Sequence, residues 1–102
     1  MRIELVQSGG LAGLRIERVV ETRALPDAAR DALEARVQEA RFFELPARAI
    51  LGMPDMIQYR VRVEDSDARH EIVFDDGTAS ETLRALIALI LASGHSGRPQ
   101  AP

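Results

Sequence analysis

Two histidines, His70 and His95, sixteen carboxylates and a scatter of hydroxyls make up most of the reactive groups in this 102-residue chain, which has no cysteine. Without cysteine, a disulfide framework and a thiolate metal site are both excluded. His70-Glu71 begins like the helical zinc-protease signature, but no second histidine follows at the required position and the segment reads as strand. His70 is accordingly read as a half-buried strand residue and His95 as part of a tail. Ser8-Gly9-Gly10 lacks the lysine and the spacing of a phosphate loop. Asp65, Ser66 and Asp67 lack the downstream glycine and glutamate of a calcium loop. Asp75-Asp76 reads as a strand end followed by acidic charge at a helix start. No nucleophile, base and orienting acid fall in a recognisable set. The chain reads as a binding protein, with no cofactor and no metal of its own.

The elements that would present a binding surface are legible from period and punctuation. Ile3 and Leu5 alternate with Arg2 and Glu4 up to a glycine-rich tip at residues 8–13. The chain resumes as a second strand with Leu14, Ile16 and Val20 on one face, which Arg18 interrupts. Leu25-Pro26-Asp27 opens a helix, with Ala29, Leu33, Val37 and Ala40 at helical spacing and an end near Arg41. Phe42 and Phe43 are expected to cap the core beneath it. Residues 44–56 hold Pro46, Gly52 and Pro54 and so read as loop, yet Leu45, Ile50, Leu51, Met53 and Met56 make that loop unusually apolar. A third strand then alternates Ile57, Tyr59, Val61 and Val63 inward. A turn at residues 65–68 leads to a fourth, with His70, Ile72 and Phe74 on one face. Thr78-Ala79-Ser80-Glu81 reads as a capping box. It starts a helix with Leu83, Leu86, Ile87, Ile90 and Leu91 on its apolar stripe, which stops at Gly94.

The order is ββαββα. The expected fold is α+β: a four-stranded, mostly antiparallel sheet with both helices on one face and a solvated, charge-laced opposite face. Its expected core includes Ile16, Leu33, Val37, Tyr59, Val61, Leu83, Ile87 and Ile90. A single domain over residues 1–94 is expected, with residues 95–102 a disordered tail. Aromatic residues are 4% of the chain, so the core must be aliphatic. All 13 basic residues are arginine and the net charge is −3. No basic cluster is interleaved with aromatics, which argues against a nucleic-acid partner. No apolar run reaches the ~18 residues that span a bilayer, and no signal-peptide pattern follows Met1, so the expected location is cytoplasmic, away from membranes.

Three segments, in this order and in a chain of this size, resemble the emfourin family. They are the glycine-tipped hairpin MRIELVQSGGLAGLRI, then Phe42-Phe43-Glu44-Leu45-Pro46-Ala47-Arg48, then Asp55-Met56-Ile57-Gln58-Tyr59-Arg60-Val61-Arg62-Val63-Glu64-Asp65. The resemblance covers roughly residues 1–91. It implies a proteinaceous inhibitor of thermolysin-like, protealysin-type zinc metalloproteases. Such a protein would block the active-site cleft with two adjacent loops and be a monomer when free.

A thermolysin-type cleft takes a large apolar side chain in its primed subsite, and its zinc keeps an open position for an oxygen ligand. Gly9, Gly10, Leu11, Met53 and Asp55 are the expected protease-binding residues. Leu11 would be the apolar anchor, and Asp55 the carboxylate that reaches the zinc of the target. Structural readings stand beside these. The glycines serve the turn alone, Leu11 folds back over the core, Asp55 caps the start of the third strand, or Asp75 and Asp76 are the competing carboxylates. The alternative function is a small structural or assembly domain, pairing through strand edges or the charged sheet face.

Overall fold

The computed structural model describes residues 1–10 and 12–96. In chain order the elements are β1 (Arg2–Gly9), β2 (Leu14–Glu21), α1 (Asp27–Glu39), β3 (Arg48–Ala49), β4 (Gln58–Glu64), β5 (Arg69–Asp75), α2 (Glu81–Ser93) and β6 (His95–Ser96). The sheet order is β3-β5-β4-β1-β2-β6, antiparallel throughout except where β3 runs parallel to β5. The N-terminal strand is thus central, paired with β2 from Arg2↔Glu21 to Gly9↔Leu14 and with β4 from Arg2↔Glu64 to Ser8↔Gln58.

Register puts Ile3, Leu5, Val20, Val61, Val63, Ile72 and Phe74 on one face, and all are buried there. Leu33 and Val37 of α1 and Leu83, Leu86, Ile87 and Ile90 of α2 join the same cluster, so both helices lie on that one face. The aliphatic core expected from composition is present. Ile16 and Tyr59 are only half-buried, Tyr59 packing against the rim of the cluster with its ring on Phe74. Phe42 is buried, whereas Phe43 stands edge-on to it and 38% exposed, so only the first of the pair closes the core.

The opposite face carries the expected charges, including the ion pairs Arg2–Glu21, Arg15–Glu17 and Arg62–Glu64. It is not uniformly wet. Glu4 and Val19, opposite one another in the β1–β2 register, are 5% and 6% exposed. Long arginine stems can cover the centre of such a face while their charged heads stay in water.

Three expectations need correction. The sheet has four long strands, as read from alternation, plus two of two residues each. β3 has no periodic signal and lies between two prolines. It exists because β5 offers an edge: Val73 N donates to Ala47 O at 2.9 Å. Thr78 does not cap α2. Ser80 does, its hydroxyl accepting from Leu83 N, while Thr78 Oγ1 reaches Ala49 O at 2.6 Å. His95 and Ser96, assigned to the tail, pair with Val19 and Arg18, which makes them a short sheet edge; the rest of the assigned tail lies outside the described residues. The end of α1 falls where expected: the helix stops at Glu39 and the chain turns at Arg41, which takes a left-handed φ of 51° before a short helical turn at Phe42–Glu44.

Leu33 is fully buried where α1 meets the sheet. Leu33→Ala is expected to lower unfolding free energy by about 2–5 kcal/mol, the range for a buried leucine truncated in a packed core. Urea denaturation of the two proteins checks it.

Candidate functional site

Three segments converge at one end of the sheet. The row Ser8↔Gln58↔Asp75 crosses β1, β4 and β5, and beyond it the chain turns at the hairpin tip, in residues 50–57 and in residues 76–78. At the same end the β1–β2 hairpin outruns the helices. Burial falls along β2 from Val20 to a 60%-exposed Leu14, although Leu14, Ile16 and Val20 share a face.

The tip depends on glycine. Gly9, Gly10 and Gly13 have φ of 102°, 80° and 64°, and Gly13 N donates to Gly10 O at 3.2 Å. At Gly9 space adds a second requirement, since a Cβ there would lie 2.9 Å from the Met56 carbonyl oxygen. A Cβ on Gly10 would lie 3.7 Å from Ile57 Cγ1. The tip and the apolar loop are therefore neighbours, as expected from sequence. Parallel pairing of β3 with β5 brings the loop there, at Arg48↔Val73 and Ala49↔Phe74.

The loop is held by Asp75, whose side chain is fully buried. Its Oδ2 accepts from Leu51 N at 2.7 Å and Gly52 N at 3.2 Å. Its Oδ1 accepts from Gly77 N at 3.0 Å, and the Thr78 hydroxyl lies 3.2 Å from the same oxygen. Burial pushes the Asp75 carboxyl up, but the donors from Gly52, Leu51, Thr78 and Gly77 favour the anion and bring the net value below the ordinary carboxylate range. The loop then turns with Met56 N donating to Met53 O at 3.2 Å. It leaves Leu51 62% and Met53 59% exposed. Asp55 is exposed too and makes no hydrogen bond or ion pair among the described residues, so it does not cap β4.

Asp76 braces the third segment. It accepts from the Tyr59 hydroxyl at 2.7 Å, and its backbone oxygen accepts from Arg84 Nη2 at 2.6 Å. Tyr59 stacks on Phe74 with ring centroids 5.2 Å apart. Burial, then the bond to Asp76, pushes the Tyr59 phenol up to about 12.

Gly9, Gly10, Met53 and Asp55 are thus brought to one end of the molecule, and Leu11 lies outside the described residues. Asp75 and Asp76, the competing carboxylates, are both engaged internally. Leu14 and Leu51 are exposed apolar residues of this end that the sequence reading did not single out as binding residues. Nothing local marked Leu51 apart from the other apolar residues of its loop, while the Asp75-Asp76-Gly77-Thr78 run was a visible turn signal whose reach to residue 51 was not. The histidines are elsewhere. His70 Nε2 lies 2.7 Å from Leu45 O with its ring against Phe42, and His95 pairs with β2. Among the described residues no group of three or more His, Cys, Asp or Glu side chains could hold a metal ion.

The Emfourin family model matches residues 5–91, and the chain belongs to that family. No curated protein and no solved structure matches the chain.

Two outcomes follow from the geometry. Gly9→Ala meets both a left-handed φ and the Met56 carbonyl, so it is expected to cost about 1–3 kcal/mol. Gly13→Ala, with open space around it, is expected to cost only about 1 kcal/mol. Urea midpoints of the two variants test the order. Tyr59 is the only tyrosine, so tyrosinate absorbance reports it alone. Its folded value is raised, so its stabilising effect is complete below the ~10 of free tyrosine and is lost as pH rises through about 12. The titration midpoint is expected near 12, and Asp76→Ala is expected to bring it down.

Proposed function

We propose that this Emfourin-family chain is a proteinaceous inhibitor of thermolysin-like, protealysin-type zinc metalloproteases and works by occupying their active-site cleft. In this reading the free protein is a cytoplasmic monomer and performs no reaction. The observation that carries it is the meeting of the glycine tip with the apolar loop at one sheet end, in a chain of this family. That end holds Leu14, Leu51 and Met53 in water, where the fold recovers little of the roughly 1.5–3 kcal/mol that full burial of each would bring. A pocket in a partner recovers it.

The proposed division of labour follows from side-chain chemistry. Leu11, at the tip, enters the apolar primed subsite. Met53, unbranched and adaptable, packs beside it. The Asp55 carboxylate approaches the open coordination position of the target's zinc, displacing or bridging the water that would attack a substrate. Gly9 and Gly10 let the tip pass close over the neighbouring loop. Rigid strands carry both segments, which lowers the ordering cost of binding.

The test is peptide hydrolysis by a thermolysin-type protease with the protein added. Leu11→Ala is expected to weaken inhibition by roughly tenfold or more, with the thermal midpoint little changed. Met53→Ala is expected to weaken it less. Asp55→Ala is expected to weaken it as well, with Asp55→Asn in between because an amide is the poorer zinc ligand. If hydrolysis is untouched by the wild-type protein across that protease class, the reading fails. Self-association of the same sample would then favour the assembly-domain alternative.

A further inference from the structure

We infer that Leu51 is a second anchor of the protease-binding surface, presented by a clamp from Asp75 and a seat at Gly77. The inference rests on the inhibitor reading above and assigns the surface a residue and a positioning device that the tip does not supply.

Leu51 combines two properties that rarely occur together in a surface loop. Its side chain is mostly in water, at 62% exposure, yet its backbone is held by a fully buried carboxylate 24 positions further along the chain. The carboxylate spends both oxygens on this end of the molecule. Oδ2 takes the N–H groups of Leu51 and Gly52, and Oδ1 takes Gly77 N. Gly52 then adopts a φ of 78°, which turns the chain outward so that Met53 follows Leu51 into solvent. Thr78 closes the arrangement from the other side by bonding Ala49 O at the end of β3.

Gly77 supplies an independent observation. Unlike Gly9, Gly10, Gly13 and Gly52, it has no positive φ, so its backbone conformation is open to any residue. What a side chain there would lack is space. A Cβ would collide with Leu51 Cδ1, lie 3.2 Å from Leu51 Cγ and lie 3.2 Å from Met56 Sδ. The leucine therefore rests directly on the bare backbone of the turn. The contact gives the side chain a seat on one side and leaves its outer surface open. With its backbone amide held, the residue has less left to order when a pocket closes over it. Its burial in the partner is a gain that the free fold does not take.

Asp75 and Gly77 act through Leu51 and are positioning residues; neither needs to touch the protease. The clamp is expected to persist across neutral and mildly acidic pH, since the Asp75 carboxylate stays ionised there.

Inhibition constants against a thermolysin-type protease, with thermal midpoints, test the inference on wild type, Leu51→Ala, Gly77→Ala and the double variant. Leu51→Ala is expected to raise the inhibition constant by roughly tenfold or more with little change in midpoint. Gly77→Ala is expected to raise it as well, by pushing Leu51 off its seat. The double variant is expected to be about as weak as Leu51→Ala, because truncation removes both leucine atoms that the new Cβ would meet and leaves only Met56 Sδ, which a flexible side chain can move aside. Asp75→Asn, which turns an amide N–H₂ toward backbone donors, is expected to expose the Leu51 and Gly52 amides to hydrogen exchange. If that variant does not fold, Gly77→Ala still reports the positioning. Equal inhibition by wild type and Leu51→Ala overturns the inference alone, as does full additivity in the double variant. A wild-type protein that inhibits no protease of the class overturns the reading beneath it as well.

Discussion

Every long strand alternates, and only one face of the resulting sheet is apolar enough to be covered. With aromatic residues at 4%, the cover must come from many small aliphatic contacts rather than a few large rings. Two amphipathic helices on that single face answer the constraint. Ile3 and Leu5 of the central strand sit beneath them at 0% exposure, with α1 and α2 each adding residues to the same cluster. The helices reach only part of the sheet, however. Where they stop, Ile16 is half-covered and Leu14 is bare, and the end proposed for binding begins. The buried core and the exposed apolar residues thus occupy different stretches of the same strands.

What was readable in the residue order was what local pattern encodes. Period-two alternation placed β1, β2, β4 and β5 and chose their inward faces; helical spacing placed α1 and α2 and their buried leucines. The glycine tip and the apolar loop were each legible from composition, and the resemblance implied two adjacent loops; the contact of Gly9 with Met56 was not legible. What escaped was nonlocal. β3 is two residues whose strand character comes entirely from the edge of β5, and β6 exists only against β2. Ser80 and Thr78 are both good caps by type; which one serves α2 was decided by Ala49 O, a tertiary partner that drew Thr78 away.

The carboxylates show the same limit within the candidate site. Asp55, Asp75 and Asp76 look alike in sequence, and each was a candidate for the same metal-directed role. Folding separates them by environment: Asp75 is enclosed by backbone donors, Asp76 receives the Tyr59 hydroxyl, and Asp55 is left in water. Residue type alone cannot rank them, because the difference lies in which chain segments are folded around each. By contrast, the membership of residues 5–91 in the Emfourin family agrees with a resemblance carried by the hairpin, the Phe42–Arg48 segment and the Asp55–Asp65 segment.

The place of β1 in the sheet has a consequence for how the molecule comes into being. The first strand made is the central one, and its two neighbours arrive at very different times. β2 follows after a four-residue tip and can zip onto β1 in about 1–10 μs, the timescale of hairpin closure. β4 pairs Glu64 with Arg2, so that edge must wait until β4 has itself been made, some sixty residues later. During synthesis the hairpin is a two-stranded ribbon with one apolar face and no lid, a species of marginal stability. Closure is therefore a late and cooperative event. The chain is expected to emerge as a folded unit only when β4 and β5 can complete the sheet and α2 can shelter it.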